Sequence, residues 1–183
     1  MSLQAETAGN DKIIYQYKLL KKIRRRPAAS LLHSGALLLW LSAAFLWRSD
    51  PGVVLLAIAA LPLWHGVAWT VTQALIARES EDPTHMRSRY AWQLAAWPRV
   101  GYLPSASVPY RQFRSVQLHL LFVGLVISGM LSAWLTPESA ATVAIVHVWW
   151  MAPRLHLVYA LRRSATSGSI ITFTSSDVGL HAP

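Results

Sequence analysis

The sequence predicts an all-α, polytopic membrane protein with four transmembrane helices arranged as two helical hairpins. Three observations predict it. First, 54% of the 183 residues are hydrophobic and only 14% are charged, against about 25% charged in an ordinary soluble domain. Second, apolar runs cover 28–47, 53–77, 116–135 and 140–161; about 20 helical residues rise about 30 Å, the thickness of a bilayer's hydrocarbon core. Third, of the 17 lysines and arginines, all but Arg48 fall in segments that this topology places on one side. That bias marks cytoplasmic loops, so both termini are expected in the cytoplasm of a cell bounded by a plasma membrane.

The N-terminal segment, 1–27, contains Ile13, Tyr17, Leu20 and Ile23 at spacings of four and three, among Lys18, Lys21, Lys22 and Arg24. The pattern predicts a basic amphipathic helix lying on the inner membrane surface. Arg24, Arg25 and Arg26 then precede Pro27 and suit contact with anionic lipid. The first apolar run is uncharged and ends at Trp47, where an interfacial aromatic belongs. Its length and long basic lead are unlike a cleaved signal peptide, so it is expected to stay as an anchor.

Arg48-Ser49-Asp50-Pro51-Gly52 predicts a tight turn. In the second run, Pro62 and Gly66 predict a kink. A cytoplasmic loop, 78–114, follows. Its first part is charged, with Glu79, Glu81, Asp82 and His85 reading as a solvated surface. Its second part interleaves Tyr90, Trp92, Trp97 and Tyr102 with Pro98, Pro104 and Pro109, a composition suited to the headgroup zone rather than to a folded unit. The third and fourth runs flank the turn 136–139, and 164–183 reads as a flexible cytoplasmic tail. The two hairpins also echo one another: His33 stands as far before Pro51 as His119 stands before Pro137, as a duplicated hairpin would place them.

The absence of cysteine excludes disulfides, thiolate zinc sites and cysteine nucleophiles. No acidic residue lies in any apolar run, which leaves a carboxylate relay without a member. H-E-x-x-H, G-x-S-x-G and phosphate-cradling glycine loops are all missing. The net charge of +9 comes with no nucleic-acid-binding motif, so nucleic acid is not expected as a partner.

Five histidines in or near the runs, His33, His65, His119, His147 and His156, are the candidate cofactor ligands; facing helices can offer imidazoles to a b-type haem or a metal. Arg154 beside Pro153 is a candidate for lipid or anion contact. Gly124, Ser128 and Ser132 recur every four residues, a small face on which another helix packs closely, in this chain or in a second copy. The expected function is a non-enzymatic accessory or scaffolding component without a resident cofactor. It would act through helix packing and a basic, aromatic cytoplasmic face, with the lipid bilayer, anionic lipids, other membrane proteins or itself as partners. The alternatives are a haem- or metal-binding redox membrane protein and a small oligomeric transporter subunit.

Overall fold

The computed structural model describes residues 18–24, 27–48, 51–94, 100–174 and 177–182. In chain order these form β1 (Lys18–Arg24), α1 (Pro27–Arg48), α2 (Pro51–Glu79), α3 (Pro83–Ser88), β2 (Tyr90–Leu94) and β3 (Val100–Pro104). There follow β4 (Val108–Pro109), α4 (Tyr110–Leu131), α5 (Pro137–Arg162), β5 (Ile170–Phe173) and β6 (Asp177–Ala182). The expectation of an all-α four-helix transmembrane fold is therefore corrected. Two sheets accompany the helices, and among the described residues two helical segments, Gly52–Glu79 and Tyr110–Leu131, are long and apolar enough to cross a membrane. In α1 the described apolar stretch is the shorter Leu31–Ala43, and α5 is diluted by His147, Pro153, Arg154 and His156.

Helix ends follow local chemistry. Pro27, Pro51, Pro83 and Pro137 each open a helix, where a missing N–H costs nothing and φ is already helical. Asp82 caps α3 by accepting the His85 backbone N–H at 3.0 Å, and Thr136 caps α5 by accepting that of Ser139 at 3.3 Å. Helices α2, α4 and α5 share a core in which Trp64, Ala68, Leu120, Val146 and Met151 are buried.

A four-stranded sheet, in the order β1-β6-β5-β4, covers one end of these helices. Every pairing in it is antiparallel. Its inner face buries Ile171, Val178 and Leu180 against Ile76, Phe113 and Leu161. Strands from near the two ends of the chain thus pair with each other. The tail expected to be flexible supplies β5 and β6, whose Ile170-Ile171-Thr172-Phe173 run has the β-branched and aromatic residues a pleated, half-buried surface favours.

The segment expected as an amphipathic helix also differs: Lys18–Arg24 is a strand, while 12–17, Arg25 and Arg26 lie outside the described residues. The reason is a bulge. Leu20 is the extra residue between Leu19, paired with His181, and Lys21, paired with Leu180. It lets Leu20 and Ile23 both pack on the core, although a regular strand sends residues three apart to opposite faces. A three-residue apolar spacing that imitates a helix is here a kinked strand.

Lys21 shares the inward register of Leu180, and its Nζ donates to the Ala160 carbonyl oxygen at 2.7 Å, near the C-terminal end of α5. Lys22 faces out and pairs with Asp177 at 2.8 Å, its side chain 44% exposed. Replacing Lys21 by alanine is expected to cost about 1–2 kcal/mol, because it strips a partly buried, charge-assisted bond at a helix end. Replacing Lys22 is expected to cost less than about 1 kcal/mol. Denaturant midpoints of the two variants in detergent check this order.

Candidate functional site: an arginine cradle beneath a β-hairpin

The loop expected to lack a folded unit contains the β2–β3 hairpin. Tyr90, Trp92 and Leu94 pair with Pro104, Tyr102 and Val100, so these residues share one face, as alternation in a strand requires. The hairpin lies along α2 and α5. Gln73 on α2 donates from Nε2 to the Tyr102 hydroxyl at 2.7 Å, and the Tyr102 ring packs on Tyr90 at 5.9 Å and on Trp92 at 5.5 Å. Burial pushes both tyrosine hydroxyls above their ordinary pKa, so both remain neutral hydrogen-bonding groups at physiological pH. Trp92 reaches the His65 ring at 5.9 Å, and His65 meets Trp150 at 5.2 Å.

Arg154 is the charged member of this cluster. It is 1% exposed, and its guanidinium carbon sits 3.9 Å from the Trp150 ring centroid. A desolvated cation over an indole face gains about 2 kcal/mol from the ring quadrupole. Gly101 closes the cradle. Its φ is +109°, and a Cβ there would stand 2.7 Å from Arg154 Nη2, 3.2 Å from His65 and 3.3 Å from Trp150. Only glycine satisfies both the backbone and the space. The arginine expected to reach toward lipid headgroups is instead enclosed by protein.

The five candidate histidines do not converge. His33 stacks flat on Trp149 at 4.5 Å, and the Trp149 Nε1–H donates to the His33 carbonyl oxygen at 2.8 Å, joining α1 to α5. His65 makes a 2.6 Å Nδ1 contact with the Leu61 carbonyl of its own helix. His119 does the same with Ser115, at 2.8 Å, and His156 is exposed on α5. His147 is buried against Trp64 at 4.4 Å and close to Trp150 at 6.4 Å. Trp150 therefore touches both His65 and His147. Among the described residues no group of three or more histidines and carboxylates is placed to hold a metal ion.

The small-residue face divides. Gly124 is pressed against the His147 ring of α5, and Ser128 is buried with its Oγ donating to the Gly124 carbonyl at 2.8 Å. Ser132 is exposed at the end of α4. Of the expected lipid-contact arginines, Arg24 is exposed on β1.

The chain matches no protein-family model, and no characterised protein or solved structure shows significant similarity to it. The cradle holds a guanidinium, indole and phenol faces and an imidazole. Nothing in the sequence pattern marks Trp150, Gly101 or Gln73 as members of this cluster. The signal available for the hairpin was the period-two pattern in Tyr90-Ala91-Trp92-Gln93-Leu94, which the neighbouring prolines obscure.

Proposed function

We propose that the chain is a multi-pass integral membrane protein acting as a non-enzymatic accessory or scaffolding component, with its sheet held at the basic, cytoplasmic face of the membrane. The observation that carries this reading is the division of its surface. On the helices, large apolar side chains point outward: Leu31, Leu39 and Leu46 on α1 are 75%, 74% and 78% exposed, and Phe122 on α4 is 68% exposed. Outward apolar side chains continue on α2 and α5, at Leu55 and Val148. So extensive an apolar surface is a liability in water and an asset in lipid. At the sheet the character changes, and the outermost strand is Lys-Leu-Leu-Lys-Lys-Ile-Arg. Basic residues on an edge strand suit an anionic membrane surface, and they also hinder unspecific edge-to-edge pairing.

Two measurements test the reading. After alkaline carbonate washing, the protein is expected to stay with the membrane pellet; recovery in the supernatant overturns membrane integration. Single cysteines at Asp50 and Glu138 are expected to react with an impermeant maleimide from outside intact cells. Cysteines at Glu81 and Ser167 should react only after permeabilisation, and a reversed pattern overturns the assigned orientation.

A further inference from the structure

His65 stands at the midpoint of α2 and Trp150 at that of α5, about 21 and 18 Å from the C-terminal ends of those helices at the α-helical rise. Those ends carry Arg78 and Arg162 and mark the basic, cytoplasmic side. The β2–β3 hairpin descends from there. Leu103 belongs to the core cluster of Ile76, Leu157 and Leu161, near the helix ends. Tyr102 is bonded to Gln73, further down α2. At Gly101 an added Cβ would lie 3.2 Å from His65 and 3.3 Å from Trp150. Within three residues of strand the chain has passed from the ends of the helices to their middles. Where α2 and α5 cross a bilayer, this sets strand backbone deep inside a hydrocarbon core about 30 Å thick.

A strand edge at that depth needs cover. β3 is turned inward, with residues 101–104 all buried, whereas on β2 Trp92 is 51% exposed and Ala91 and Gln93 are half-buried. Among the described residues β3 is the single strand neighbour of β2, and no backbone hydrogen bond outside that ladder reaches 90–94. In an antiparallel pair alternate residues turn their N–H and C=O groups away from the partner strand, so β2 presents such groups outward. Against lipid they stay unbonded, and non-helical backbone is tolerated at membrane depth only inside protein or against water. A second copy of the chain does not meet the need. Copies related by a twofold axis along the membrane normal bring this edge together in parallel and at equal heights, whereas parallel ladder bonds slant to a residue further along. We propose that β2–β3 is a re-entrant hairpin whose outer strand lines a water-filled vestibule, open to the cytoplasm and reaching the middle of the membrane, that admits small polar solutes.

This inference rests on the membrane reading, and its test separates the two. The chain has no cysteine, so Ala91→Cys, Gln93→Cys, Phe122→Cys and Ser167→Cys each carry a single thiol. Phe122 is the depth control, near the middle of α4 and 68% exposed; Ser167 is the surface control. Inside-out vesicles are treated with a charged, impermeant methanethiosulfonate. The hairpin thiols should react within about tenfold of Ser167, and Phe122 about a hundredfold more slowly, because the thiolate is the reacting form and hydrocarbon suppresses it. A polyethylene glycol maleimide, too bulky for the vestibule, should modify Ser167 and spare the hairpin thiols in variants whose hairpin keeps its protease resistance. Hydrogen–deuterium exchange of the unaltered protein in nanodiscs asks the same question without a substitution: some of the 90–94 amides should exchange as fast as exposed ones. Hairpin thiols as slow as Phe122, or full protection of 90–94, would show the edge covered by another protein and overturn the vestibule. Docked hairpin thiols open to the bulky maleimide would put the hairpin at the surface and overturn re-entry. Phe122 reacting as fast as Ser167 would overturn the membrane reading itself.

Discussion

Gly124→Ala is expected to lower the stability of the helical body by about 1–3 kcal/mol, the usual cost of forcing extra volume into a packed core. A Cβ on Gly124 overlaps the His147 ring at three of its atoms. The ring has little room to retreat, with Trp64 at 4.4 Å and Trp150 at 6.4 Å on its flanks. Trp64 is itself fully buried, so its displacement spreads the strain to α2. If this collision is the cause, removing the ring relieves it. Gly124→Ala combined with His147→Ala should then be much less destabilised than the sum of the two single variants, a coupling of about 1–3 kcal/mol. Thermal or denaturant unfolding in detergent measures the cycle. Additive losses would show that Gly124 matters for something other than contact with His147. Ser132→Ala, on the same stripe but exposed, serves as the control, with an expected change within about 0.5 kcal/mol.

That stripe also shows what the sequence makes legible. Small residues every four positions announce a close helix contact, and Gly124 has one, but spacing does not name the neighbour. The histidine ring filling the gap comes from α5, and only the fold brings it there. Two of the apolar runs are legible as helices long enough to cross a membrane, because length and lack of charge act within one segment. The sheet was much harder to read. Three of its strands come from near the two ends of the chain and β4 from its middle, and β1 carries a bulge that turns strand spacing into apparent helix spacing. The same limit hid the hairpin: Tyr90 and Tyr102 read as interfacial aromatics because aromatic composition is local, whereas Gln73, which bonds Tyr102, lies on another element. Arg154 stands out by its position in an apolar run, but its enclosure depends on Gly101, far away in sequence and silent until a positive φ is known.

Gly101→Ala is expected to detach the hairpin from α2 and α5. Two costs combine: about 1–3 kcal/mol for holding a side-chain-bearing residue at φ +109°, and a collision with Arg154, His65 and Trp150. Of these three, the guanidinium is the flexible end, but its 1% exposure means that moving it opens the cradle. Arg154→Lys tests the other side of the contact. Lysine keeps the charge but lacks the flat guanidinium that lies on the Trp150 indole, so it should not restore the packing. In both variants, protease cleavage within 89–105 is expected to accelerate about tenfold or more, the factor that about 1.4 kcal/mol of lost docking gives when opening is fast. The sheet, which also packs on Leu157 and Leu161 of α5, should lose less of its resistance than the hairpin does. Trp92→Ala should accelerate cleavage less, since Trp92 is 51% exposed and leaves Tyr102 bonded to Gln73. A hairpin as resistant in Gly101→Ala as in the unaltered chain would mean that the arginine cradle does not hold it.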